Sequence, residues 1–124
     1  MSTNFVDLVR SCYAALARGD LDLLAAHCDP EIEIVEAPDR PGAGVFHGHE
    51  GLIEALKRAG ERPATEVGEP ARFIDAGHER VIVLTGTRVD LHTGRAGKCV
   101  RWEMFSKLDD AFAAIGLRKL KGET

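Results

Sequence analysis

The segment Glu31-Ile32-Glu33-Ile34-Val35-Glu36 changes the period of the chain. Before it, apolar side chains recur at helical spacing; within it, acids and aliphatics alternate, as in a strand with one buried face. Ile32 and Ile34 share a face, and if the strand stays regular, parity puts Glu36 with them, opposite Glu31, Glu33 and Val35. An acid on the apolar face of a strand is a candidate pocket residue. Upstream, Phe5, Leu8, Val9, Cys12 and Leu16 make one apolar stripe, which predicts a helix from Asn4 to Arg18 with Tyr13 at the stripe's edge. Gly19 ends that helix, and Asp20 caps a second, predicted from Leu21 to Cys28 and stopped by Asp29-Pro30. Downstream, Ala37 to Phe46 holds Pro38, Pro41, Gly42 and Gly44, a long loop of the kind that covers a site. Gly48 to Ala59 returns to helical spacing through Leu52, Ile53 and Leu56, with Gly60 as its stop.

Beyond Pro63 the sequence reads as β structure. Strands are predicted over Thr65 to Asp75, Arg80 to Asp90, Lys98 to Leu108 and Phe112 to Leu120, with His92 to Gly97 as a connection and Asp109-Asp110 as a tight turn. Helices that precede an antiparallel meander pack on one of its faces, so the expected fold class is two-layer α+β. On the Lys98 to Leu108 strand, Val100, Trp102 and Met104 oppose Cys99, Arg101, Glu103 and Phe105. Both faces are partly apolar, which predicts a homodimer through one face of the sheet.

A chain of 124 residues, 44% hydrophobic and 29% charged, fits one domain spanning residues 1–124. At that length folding buries roughly two-thirds of the unfolded chain's surface, enough for a core and a modest pocket. The net charge is −4 and the basic residues are scattered, so nucleic acid is not an expected partner. No stretch approaches the ~18 apolar residues of a membrane span, and Asp7 and Arg10 interrupt what a signal peptide would need. The expected location is therefore cytoplasmic, with no membrane association. Cys12, Cys28 and Cys99 match neither a disulfide framework nor zinc spacing and read as small buried hydrophobes.

Three phrases carry a family resemblance: Tyr13-Ala-Ala-Leu-Ala-Arg-Gly-Asp-Leu-Asp22, Asp29-Pro-Glu-Ile-Glu33 and Gly44-Val-Phe-His-Gly-His-Glu-Gly-Leu-Ile53. With the element order, they resemble the nuclear-transport-factor-2-like superfamily, and within it the ketosteroid-isomerase-like and SnoaL-like (polyketide cyclase-like) branch. The resemblance implies a cone-shaped, cystatin-like domain. Three N-terminal helices would pack on a curved, mainly antiparallel sheet, enclosing an apolar cavity whose mouth lies near Ala37 to Phe46. It also implies a small hydrophobic ligand, steroid- or polyketide-like, no cofactor, and movement of a proton alpha to a carbonyl.

Carried over position by position, the resemblance makes Glu36 the base and Glu103 the protonated acid that donates to the enolate oxygen, a pairing described for ketosteroid isomerase itself. Arg101, two residues earlier on the same face, departs from that pattern, because a cation holds an acid ionised. The tyrosine position of the family falls on Cys12, with Tyr13 one residue and about 100° away. Either the helix is turned so that Tyr13 enters the cavity, or the phenolic donor is absent. Phe46, Trp102 and Phe105 are expected to line the cavity, with Cys12, Arg101 and His49 as further ligand contacts. His47-Gly48-His49-Glu50 reads as the turn into the third helix rather than a metal site, with His49 an acid or base at the mouth. Two other functions fit the same residues. One is a non-catalytic dimeric ligand-binding or accessory domain. The other is an epoxide hydrolase using Arg101 and Glu103, for which the last predicted strand lacks a second acid.

Overall fold

The computed structural model of the chain describes residues 4–40, 42–60, 70–86 and 88–116. Helix α1 (Phe5–Arg18) starts where the Asn4 side chain accepts the Asp7 N–H, and it ends at Gly19 with φ +72°. Asp20 then accepts the Leu23 N–H and caps α2 (Leu21–Ala26). The remaining elements are β1 (Cys28–Val35), β2 (Val45–His47), α3 (Gly48–Gly60), β3 (Pro70–Asp75), β4 (Arg80–Thr85), β5 (Val89–Arg95), β6 (Lys98–Phe105) and α4 (Leu108–Ala114). Among the described residues no helix is long and apolar enough to cross a membrane.

The strands form one curved sheet in the order β2-β1-β6-β5-β4-β3. β3 to β6 make the expected antiparallel meander, β1 lies parallel to β6, and β2 pairs antiparallel with β1. The expected α+β class is therefore the one observed, with two layers at its centre. On the inner face, Phe46, Ile34, Trp102, His92 and Val81 are successive register partners, one per strand. The next inner row is Met104, Asp90, Val83 and Phe73. Helices α1, α2 and α3 cover this face, and Val9, Tyr13, Leu24, Leu52 and Ala55 pack there with Ile32, Ile34, Val81 and Val83.

The chain departs from its sequence pattern in several places. The predicted strand Arg80 to Asp90 is two strands, because the Thr85 hydroxyl both donates to the Arg88 carbonyl and accepts the Arg88 N–H, and the backbone reverses there. His92 consequently lies inside β5, and the following hairpin turns at Ala96-Gly97, both at positive φ. The end of the predicted loop, Val45 to Phe46, belongs to β2. Strand β1 begins at Cys28, so α2 stops two residues earlier than predicted. The expected turn at Asp109-Asp110 and strand from Phe112 are instead helix α4, with residues 117–120 outside the described set. Leu108, Ala111, Phe112 and Ile115 are spaced as one helical stripe, and the two Asp side chains sit in the first turn, where the helix dipole favours them. That stripe packs on the outer face against Ile82, Val89 and Leu91. Of the predicted strand Thr65 to Asp75, residues 65–69 also lie outside the described set.

Helix α3 approaches β2 closely at Gly51, where a Cβ would lie 2.9 Å from the Phe46 carbonyl carbon. Backbone cannot yield as a flexible side chain does, so Gly51→Ala should destabilise the fold by about 1–3 kcal/mol, read as a lower urea midpoint at unchanged slope.

Candidate functional site

Arg88, immediately before β5, and Asp90 and His92 within it alternate with Val89 and Leu91. The apolar pair faces α4, which turns the polar set inward beneath α1. Asp90 has no exposed surface. Its carboxylate accepts from Arg88 Nε at 2.7 Å and from the Arg88 terminal nitrogen at 3.1 Å, and it takes the Tyr13 hydroxyl in a short hydrogen bond. The Tyr13 oxygen also meets His92 Nε2 at 2.8 Å. Since the phenolic hydrogen goes to Asp90, the network closes with His92 donating from Nε2. Its Nδ1 then carries the lone pair, 3.7 Å from Cys99 Sγ.

Burial dominates the electrostatics of this network. It pushes the Tyr13 phenol well above its ordinary range, reinforced by the Asp90 charge. The same desolvation pulls the His92 imidazole down to about 4 against the opposing pull of Asp90, so the ring is neutral at pH 7. Tyr13 also packs edge-on against Phe73 at 5.7 Å and Trp102 at 6.1 Å, while His92 and Trp102 lie 5.0 Å apart.

Between α1, α2 and the sheet lies a cavity of about 10 Å³, room for roughly one water molecule. Tyr13, Cys12, His92, Cys28, Cys99 and Trp102 line it with Leu16 and Leu24. The Trp102 indole N–H is buried with no hydrogen-bond partner among the described residues.

The structure thus puts both Cys12 and Tyr13 at the cavity, the two positions between which the sequence left the helix undecided. Trp102 joins them. Glu36 is on the inner side and 4% exposed, as its parity indicates. It is held by Arg58 at 3.2 Å and the Gly44 N–H at 3.0 Å, beside the loop rather than at the cavity wall. Phe46 packs at the edge of the inner core under Arg58. His49 bonds the Cys28 carbonyl at 3.1 Å at the start of α3. Arg101 and Glu103 are not brought to the cavity. They pair at 3.2 Å on the outer face, where Arg101 also meets Glu33. Phe105 packs with the α4 cluster on that same outer face. Among the described residues, no group of three His, Cys, Asp or Glu side chains is placed to hold a metal ion.

Asp90, His92 and Arg88 were not among the site residues read from the sequence. The available signal was three polar residues on one strand face; that pattern ordinarily means solvent, and only α4 on the opposite face reverses it. Cys99 enters the cavity against simple parity because β6 carries an extra residue: Arg101 pairs with Thr93 and Cys99 with Gly94, leaving Val100 bulged between them.

The sequence profile of the SnoaL-like domain matches residues 9–109. The chain belongs to the SnoaL-like family. Solved structures of nuclear-transport-factor-2-like proteins share the fold of this SnoaL-like domain. One from Burkholderia xenovorans is 28% identical, with TM-score 0.66 over 82% of this chain and 87% of its own. One from Burkholderia thailandensis is 24% identical, with TM-score 0.73 over 86% and 92%. TerC, co-crystallised with polyporic acid, is 24% identical, with TM-score 0.65 over 90% and 97%. No curated protein matches this chain in sequence.

The His92 shift has a measurable consequence for this domain. Between its ordinary value and about 4, the unfolded chain binds a proton at His92 that the folded chain does not, so stability rises with pH across that window. Lowering the pH from 6.5 to 4 should remove on the order of 3 kcal/mol through this group. The drop should be present in urea titrations of the wild type and correspondingly smaller in His92→Gln.

Proposed function

We propose that this SnoaL-like domain binds a small hydrophobic carbonyl compound between α1 and the inner sheet face and moves a proton alpha to its carbonyl. The observation that carries the proposal is the Tyr13 hydroxyl fixed between Asp90 and His92 at the cavity wall. In this reading His92 is the base. Tyr13, anchored by Asp90 and Arg88, holds the imidazole in the Nε2–H tautomer and leaves the Nδ1 lone pair, 3.7 Å from Cys99 Sγ, to accept the substrate proton. The imidazolium formed is stabilised through Tyr13 by Asp90, while the Trp102 indole N–H donates to the developing enolate oxygen. Tyr13 and Asp90 are then positioning residues, and Arg101 and Glu103 take no part. Glu36, buried on the same side of the sheet, is the second candidate base. The cavity must widen to admit such a ligand, and a second copy of the chain would meet the part of the outer sheet face that α4 leaves uncovered. TerC crystallised with polyporic acid supports the binding half of the proposal by fold alone.

A second reading is a binding domain without catalysis. It is favoured by one observation: Arg88, Asp90, Tyr13 and His92 hydrogen-bond to one another in a closed chain. A buried polar network that closes on itself also serves simply to fix α1 on the sheet.

Exchange of α-hydrogens into D2O, followed by NMR over a panel of hydrophobic cyclic ketones, separates these readings, with Trp102 fluorescence reporting binding. Wild type should accelerate exchange, and His92→Gln should reduce it by about 10²–10⁴ with binding little changed. Tyr13→Phe should cause a smaller loss and shift the pH profile, and Glu36→Gln should retain activity. Loss in Glu36→Gln but not His92→Gln would return the role of base to Glu36; ketones that bind without exchange would establish the non-catalytic reading.

A further inference from the structure

Three thiols meet at the cavity, and the proton-transfer proposal uses none of them. Cys28 opens β1, Cys12 comes from α1, and Cys99 is swung inward by the β6 bulge. All three are free and buried. Cys28 and Cys99 are direct register partners on adjacent strands. Neighbouring strands run about 4.8 Å apart, inside the 4.4–6.8 Å window of Cα separations that a disulfide spans. Both side chains face the same cavity, so their Cβ vectors do not diverge to opposite sides of the sheet. Cys12 lines the same cavity, while the Cys99 S–H donates to the Arg101 carbonyl at 3.5 Å.

The geometry points to a thiol-oxidation site, in which Cys28 reacts with a small hydroperoxide and Cys99 resolves it to an intramolecular Cys28–Cys99 disulfide. The cavity sets the class of oxidant, because about 10 Å³ admits a molecule near the size of water and excludes bulky thiol reagents. In the first step the Cys28 sulfur attacks the peroxide O–O bond, giving a sulfenic acid and, from hydrogen peroxide, one water. In the second the Cys99 sulfur displaces the sulfenic oxygen, which leaves as a second water. Two thiols lose two hydrogens and two electrons, and one peroxide becomes two waters.

The chemistry of the cluster supports Cys28 as the attacking group. The neighbouring Cys12 and Cys99 thiols hold its thiol below the ordinary range against the effect of burial, while Cys12 and Cys99 are pushed above it. Cys99 Sγ also lies 3.7 Å from His92 Nδ1, which can take its proton as it attacks. A disulfide between adjacent strands is tighter than most, which makes it readily reduced and the modification reversible.

The test uses the reduced full-length chain treated with hydrogen peroxide, then alkylated with iodoacetamide under denaturing conditions and read by intact mass and peptide mapping. The expected product has lost two hydrogens, carries one alkylated cysteine, Cys12, and yields a linked peptide containing Cys28 and Cys99. It should form at least about tenfold faster in the folded chain than in urea, since only the folded state holds the two sulfurs together. Trp102, the only tryptophan, should lose emission on oxidation and regain it with dithiothreitol. Cys12→Ser should retain the disulfide and Cys28→Ser should lose it. Three alkylated cysteines after peroxide, a Cys12–Cys28 link, a link between two chains, or equal rates with and without urea would each overturn the proposal.

Discussion

A carboxylate with no exposed surface has to be neutralised from within, and Asp90 is such a group. An unpaired buried charge costs several kcal/mol, so its partners are constrained more tightly than ordinary core neighbours. One of them, Arg88, is guaranteed by the strand itself, because residues two apart share a face. The other, Tyr13, comes from a different element and sets the rotation of α1 about its axis. Once Tyr13 is fixed over Asp90, its neighbour Cys12 is carried to the cavity and Val9 and Leu16 onto the sheet. The site and the packing of the first helix are thus one constraint.

The other buried acid, Glu36, is satisfied by different means. Its partners are Arg58 from α3 and the Gly44 N–H from the loop, and the Glu36 backbone N–H returns to the Gly44 carbonyl. Arg58 keeps 36% of its side chain exposed whereas Arg88 keeps 10%, so water screens the first pair far more than the second. Glu36 therefore fastens a loop, and Asp90 fastens a helix to the centre of the sheet.

Much of the fold was readable because it rests on local periodicity. The alternation from Glu31 to Glu36 placed Ile32, Ile34 and Glu36 inward, and the parity of β6 separated Trp102 and Met104 from Arg101 and Glu103. The site was less readable, because it depends on two features without local signals. The bulge at Val100 breaks parity and redirects Cys99. Helix α4 is only seven residues long, has two aspartates in its first turn and a glycine two residues past its end, so its short apolar stripe is easily taken for a turn and a strand. Without that helix on the outer face, Arg88, Asp90 and His92 look like a solvated edge. Family resemblance pointed to acids after β1 and on β6, but this chain carries its buried polar network on β5.

Helix α4 also divides the outer surface of the sheet. It shields Ile82, Val89 and Leu91, and toward β1 and β2 it leaves a run of paired polar side chains, His47 with Glu33, Glu33 with Arg101 and Arg101 with Glu103, beside the exposed Val45. Such a strip is matched by charge pattern rather than by grease. Contacts made there would weaken as ionic strength rises and the Debye length contracts to about 8 Å at physiological salt. The arrangement that turns Asp90 inward on one side of the sheet thus leaves a salt-sensitive ionic strip on the other.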